Sequence, residues 1–118
     1  MRFTRKDRLN TKADFRQVFS SPSVSRDRYF RVLARANELG RCRLGMAVSK
    51  KNCRRAVDRS RLKRTIRESF RLSKDGLDRL GGFDYVVLPM AQAASICKKK
   101  LAGSLQDHWH RARGESGT

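Results

Sequence analysis

KKNCRRAVDRSRLKRTIRESFR, residues 50–71, carries ten Lys or Arg against two acids, Asp58 and Glu68. Leu62, Ile66, Ser69 and Phe70 recur at helical spacing, which predicts a helix over residues 54–72 with that stripe turned inward and Asn52 available as its cap. On the opposite side the same spacing groups Ser60, Arg64, Arg67 and Arg71, with Arg59, Arg61 and Lys63 on the flanks. Like charges three and four residues apart destabilise an isolated helix by a few tenths of a kcal/mol per pair, roughly 0.2–0.5. Only Asp58 and Glu68 stand near enough in sequence to offset them. A solvated charged face is the ordinary reading of such a run. A polyanion that neutralises the set is the reading favoured here, because binding it would release condensed counterions.

The surrounding chain frames this helix with a small sheet. Residues 29–36, YFRVLARA, alternate, with Phe30, Val32 and Ala34 on one side and Tyr29, Arg31, Leu33 and Arg35 on the other, which predicts a strand. Residues 43–49, RLGMAVS, alternate again after a turn at 37–42, and the two segments read as an antiparallel pair. Residues 83–89, FDYVVLP, are nearly all apolar, as a central strand would be, and Pro89 ends it. Before the sheet, TKADFRQVF reads as a helix capped by Thr11, with Phe15, Val18 and Phe19 on one face. The Ser-rich residues 20–27 read as a loop, and SKDGLDRLGG as a turn after the basic helix. A last helix over residues 95–111 places Cys97, Leu101, Leu105 and Trp109 at steps of four, and Gly103 costs it about 1 kcal/mol relative to Ala. The order helix, strand, strand, helix, strand, helix specifies an α+β fold, an α/β sandwich with one small mixed sheet.

The chain's 118 residues suit a single domain, 1–118, with the ends 1–8 and 113–118 expected to be mobile. Net charge is +18, and residues 72–118 hold only seven basic and five acidic residues, so the excess lies before residue 72. Such a field attracts nucleic acid more than membrane, since there is no long apolar run and no set of bulky anchors opposite the arginines. MRFTRKDRLN lacks the features of a secretion signal, so a cytoplasmic location is expected. Cys42, Cys53 and Cys97 form no metal-binding spacing and are expected to be free thiols. His108 and His110 are expected at a solvated helix end. The acids are scattered, with no paired-carboxylate, nucleophile–base or Gly-rich phosphate pattern, so a protein-only nuclease finds no catalytic residues here. A purely structural RNA binder remains open at this point. For Phe15 and Phe19, core packing and stacking on unpaired bases both remain open.

Residues 47–71, AVSKKNCRRAVDRSRLKRTIRESFR, resemble the signature segment of the bacterial ribonuclease P protein component. Ser49, Lys50 and Lys51 match its strand end, and Ala56, Arg59, Arg61, Lys63, Arg64, Arg67 and Glu68 its helix. Ser60 stands where the family has Asn and reaches less far. DFRQVFSS, FDYVVLP and LAGSLQDHWHR extend the resemblance over residues 8–112. The resemblance implies an RNA-binding subunit of a ribonucleoprotein endonuclease that trims precursor tRNA to its mature 5′ end, with hydrolysis carried out by the RNA subunit and Mg2+ bound mainly there. It implies that Lys50, Lys51, Arg55, Arg59, Ser60, Arg61, Lys63, Arg64, Arg67 and Arg71 face the RNA subunit. It implies a cleft for the single-stranded 5′ leader of precursor tRNA at Phe15, Phe19 and Ser49, with Phe30 as a third aromatic and Val32 as its alternative. No obligate protein partner, protein-held metal or catalytic side chain is implied. The family fold also implies a left-handed β–α–β crossover, against the usual right-handed one.

Overall fold

The computed structural model describes residues 7–9 and 11–114. Three layers stack: a helix, a four-stranded sheet, and two further helices. In chain order these are α1 (Lys12–Ser20), β1 (Ser23–Arg26), β2 (Phe30–Ala36), β3 (Arg43–Met46), α2 (Ala56–Leu80), β4 (Phe83–Pro89), a 3-10 turn (Ala91–Ser95) and α3 (Lys98–Arg111). The sheet runs β1-β2-β4-β3. β1, β2 and β4 pair antiparallel, and β3 joins β4 in parallel.

Strand order corrects one expectation. β2 and β3 are not neighbours; β4 lies between them. β4 has helices over both faces and is apolar nearly throughout, so it takes the centre. The 25-residue α2 is the connection that a parallel β3–β4 pair requires.

α2 is longer than its inner stripe suggested. Lys74 and Leu77 prolong the buried stripe of Leu62, Ile66 and Phe70, so residues 73–80 stay helical through Gly76. The helix stops at Gly81, whose φ of 121° is one that side chains rarely adopt. Its N-cap is Arg55, without a side-chain bond. Asn52 instead donates through Nδ2 to the Pro89 carbonyl at 3.3 Å. Thr11 does cap α1, accepting from the Asp14 amide at 3.1 Å.

Alternation along the strands divides the core in two. Phe30, Val32, Ala34, Leu44, Tyr85 and Val87 face α2 and α3. Leu33 and Val86 face α1, where Val18, Leu9 and Phe15 meet them. In the larger core Phe70, Tyr85 and Trp109 meet edge to face at centroid separations of 5.3–6.1 Å. Such pairs add about 0.5–1.5 kcal/mol each beyond area burial. Their polar tips are satisfied: Tyr85 donates to the Trp109 carbonyl at 2.8 Å, and Trp109 Nε1 donates to Ser69 Oγ at 3.0 Å.

Further corrections concern residues read as loop, tail or solvated end. The segment 20–27 contains β1, concealed by its serines. Ser25 is buried because its hydroxyl lies 2.7 Å from His108 Nδ1. His108 is therefore core, while His110 is exposed. Asp27 Oδ2 lies 3.1 Å from His108 Nε2, off the line a hydrogen bond needs, and accepts from Ser104. Burial would raise the Asp27 pKa, but the Ser104 hydroxyl, the Phe30 and Tyr29 amides and His108 outweigh it and lower it to about 2. α3 begins at Lys98, leaving Cys97 exposed at its N-cap. Of the ends expected to be mobile, residues 1–6 and 115–118 lie outside the described residues. Asp7 and Leu9 are buried. Arg113 donates to the Leu77 and Gly81 carbonyls and stands 4.4 Å over the Phe83 ring.

Candidate nucleic-acid interface

The outer face of α2 and the lead-in before it are where the ten like charges of residues 50–71 must be accommodated, and the structure sorts them into two groups. Arg59 Nη1 donates to the carbonyls of Cys53 and Arg54 at 3.0 and 2.8 Å, pinning the lead-in to its own helix. Arg61 donates to the carbonyls of Ala94 and Ile96, tying α2 to the segment before α3. These two arginines satisfy backbone groups, so they are structural staples as well as charges. Lys50, Lys51, Arg54, Arg55, Lys63 and Arg64 are exposed, as is Ser60 between them, and Arg67 and Arg71 are half-buried.

The expected internal relief is small. Asp58 stands 3.7 Å from Arg55, which is itself highly exposed. Glu68 takes Lys98 of α3 at 3.2 Å. Among the described residues no carboxylate lies within 4.0 Å of the guanidinium groups of Arg64, Arg67 or Arg71. With Arg8 and Glu68 these three line an open groove. The link into α2 is a turn in which Ser49 Oγ accepts the Asn52 amide at 3.0 Å and the Ser49 carbonyl accepts the Cys53 amide. That turn leaves Lys50 and Lys51 at the surface beside the helix start.

A second basic surface lies on the α1 side of the sheet. Strand register sets three cross-strand rows there. One is Val24–Leu33–Val86–Gly45. The Phe15 ring sits on Gly45 so closely that a Cβ would meet its Cζ at 2.7 Å. A neighbouring row is Arg35–Asp84–Arg43, which fastens α1 in place. Arg35 Nη1 donates to the Gln17 carbonyl at 2.8 Å and to Ser20 Oγ at 2.6 Å. Arg43 grips Asp84 with two bonds of 2.8 and 2.7 Å and stands 3.6 Å from Asp14 of α1. The Asp84 hydrogen bonds raise the Arg43 pKa against the effect of burial, with the charges of Asp84 and Asp14 adding to them.

The remaining row is Arg26–Arg31–Leu88. Both arginines are exposed and Leu88 is half-buried. Phe15 is half-buried on this side, and Phe19, one turn along α1, is 47% exposed. Cationic groups beside apolar and aromatic surface suit a single strand of nucleic acid, which offers phosphates to one and base faces to the other.

The placement of the proposed leader residues is therefore uneven. Phe15 and Phe19 lie on the α1 side. Phe30 does not: it is fully buried on the opposite face of the sheet, its edge against the His108 ring at 6.4 Å, and Val32 is buried beside it. Neither can stack on a base without opening the core, so the third aromatic is withdrawn. Arg26 and Arg31 were missed. Arg31 was legible from alternation, which puts it on the Leu33 face. Arg26 was hidden in the segment read as loop.

Among the described residues no three His, Cys, Asp or Glu side chains are grouped to hold a metal ion. No described helix is long and apolar enough to cross a membrane.

Comparison with known proteins bears on these surfaces. The sequence profile of the family described as Ribonuclease P matches residues 3–113. The ribonuclease P protein component of Methylococcus capsulatus is 45% identical over 107 residues, 91% of this chain and 81% of that protein. That of Halorhodospira halophila is 42% identical over 114 residues, 96% and 91% of the two chains. The structure of the RNase P protein from Thermotoga maritima, in complex with 1-(4-fluorophenyl)-2-thiourea, superposes with a TM-score of 0.78 at 32% identity, over 87% of this chain and 97% of that one. The Staphylococcus aureus RNase P protein gives 0.77 at 31%, over 85% and 89%.

Proposed function

The chain belongs to the ribonuclease P protein family, and from that premise we propose how its two basic surfaces divide the work. It is the protein component of a ribonucleoprotein endoribonuclease of tRNA 5′ processing, and its partner in that particle is the ribonuclease P RNA. In our reading the outer face of α2 with the turn before it lies against that RNA. Lys50, Lys51, Arg55, Ser60, Lys63, Arg64, Arg67 and Arg71 make the contact, and Arg59 and Arg61 hold the frame from which the others reach. Arg64, Arg67 and Arg71, which have no carboxylate partner among the described residues, carry this assignment. Neutralising each phosphate releases counterions, so affinity falls with salt by roughly 0.7–0.9 log units per contact per decade of concentration.

The strip of Arg26, Arg31, Leu88, Phe15 and Phe19, with Ser49 at the exit of β3, takes the single-stranded 5′ leader of precursor tRNA. Mature tRNA has no leader, so binding here separates substrate from product, and each stacked base contributes about 1–3 kcal/mol. The protein contributes binding and charge neutralisation between two polyanions. Mg2+ is held mainly through the RNA subunit, where the phosphodiester is hydrolysed, and the particle works in the cytoplasm.

The test is cleavage of precursor tRNA at low Mg2+ by the protein, by a bacterial ribonuclease P RNA, and by both. Cutting at the mature 5′ end only by the mixture is expected. Cutting by the protein alone would mean a protein nuclease, and no stimulation a structural binder. Arg26→Gln with Arg31→Gln, and separately Phe15→Ala with Phe19→Ala, should weaken precursor binding to the holoenzyme while leaving mature tRNA binding unchanged. Equal losses for both ligands would remove the leader from this strip.

A further inference from the structure

Residues 7–9 are held far more firmly than their basic, irregular sequence suggests. Arg8 bridges Leu44 in parallel along the outer edge of β3, and the Leu9 amide donates to the Leu44 carbonyl at 3.0 Å. The Leu9 side chain is buried against Val18, Leu33 and Val86. On the other side of Arg8, the buried Asp7 carboxylate stands 3.3 Å from Lys74 Nζ. Lys74 belongs to α2 and is only 5% exposed. Its second partner is Asp78 Oδ2 at 2.6 Å, and Asp78 Oδ1 accepts the Cys42 amide at the start of β3. Burial alone would lower the Lys74 pKa, but hydrogen bonds and charges from Asp78 and Asp7 raise it, so the ammonium is retained.

A buried ion pair is a poor way to gain stability. Its desolvation cancels much of the attraction, and apolar side chains of similar size usually hold a segment as well. What it supplies is register, because a lysine between two carboxylates accepts one placement of Asp7. With Asp7 and Leu9 both held, the Arg8 backbone is held between them, and its side chain lines the groove of Arg64, Arg67 and Arg71. We infer that the Asp7–Lys74–Asp78 set is a positioning device that holds Arg8 as the fourth arginine of a phosphodiester-binding groove on α2. This rests on the reading that α2 faces the RNA subunit. It adds a residue from outside α2 and a reason for the buried lysine.

The test is equilibrium binding of the full chain to a bacterial ribonuclease P RNA across a salt series, with thermal melts alongside. Arg8→Gln should lower the salt slope by about one, as loss of one phosphate contact does. Asp7→Asn leaves the Arg8 charge in place but frees its position, so it should weaken RNA binding in the native background and have no further effect on binding beside Arg8→Gln. An unchanged slope for Arg8→Gln would overturn the inference. So would an Asp7→Asn effect of equal size with and without Arg8, which would make the lock a general prop of the fold. Arg64→Gln is the control: if it too leaves the slope unchanged, the α2 assignment fails; if it alone lowers the slope, only the Arg8 inference fails.

Discussion

Asp84→Ala is the most informative single perturbation of the scaffold. The Asp84 side chain is 5% exposed and accepts three hydrogen bonds: from Arg43 Nε at 2.8 Å, Arg43 Nη2 at 2.7 Å and Asn37 Nδ2 at 2.7 Å. Arg43 is itself only 16% exposed, and its remaining carboxylate, Asp14, is 3.6 Å away and more open to solvent. Truncating Asp84 leaves a guanidinium largely buried and poorly paired, which typically costs about 3–5 kcal/mol. Against a total stability on the order of 5–15 kcal/mol, this removes between about a fifth and all of it. At about 4 °C per kcal/mol the variant should melt roughly 12–20 °C lower. Urea and thermal unfolding, followed by the fluorescence of the single buried Trp109, measure this directly. The double variant Asp84→Ala, Arg43→Met should recover most of the loss, because the penalty lies in the stranded charge and not in the missing bonds. A single-variant cost below about 1 kcal/mol, or a double variant no better than the single, would refute the reasoning.

Three further outcomes are expected. Gly45→Ala puts a Cβ 2.7 Å from Phe15 Cζ and 3.0 Å from Leu9 Cδ1, so the ring must retreat; a stability loss of about 1–3 kcal/mol and a weaker preference for precursor over mature tRNA should appear together in melts and binding titrations. Arg61→Gln strands the Ala94 and Ile96 carbonyls and should destabilise by about 1–3 kcal/mol with little change in the salt slope of RNA binding, whereas Arg64→Gln should lower the slope and stay within about 0.5 kcal/mol of native stability. The lowered Asp27 pKa, about 2 against an ordinary 3.8, stabilises the fold above about pH 4, and that contribution disappears as pH falls toward 2; after discounting for solvent screening it is about 1 kcal/mol, and Asp27→Asn should flatten the acid limb of stability between those values, parallel limbs being the contrary result.

Local pattern determined much of this protein. The stripe Leu62, Ile66, Phe70 identifies α2, Thr11 and Asp14 identify the start of α1, and the apolar run 83–89 identifies the central strand, because each signal is complete within one or two turns of chain. The arginine face of α2 and the family motif are likewise local, and so is the polyanion they call for. Only the tertiary structure decided which strand stands beside which, since pairing depends on partners dozens of residues away. It also decided that Ser25 and His108 are interior, because each polar group is acceptable there only through the other. It divided the arginines: Arg43, Arg59 and Arg61 are half-buried and bond the chain itself, while Arg26, Arg31 and Arg64 remain exposed, although all are the same residue type on charged stretches. Phe30 and Phe15 lie one sheet thickness apart for the same reason. Sequence spacing says which residues share a face, but what covers that face is fixed by the packing of elements that are distant in the chain.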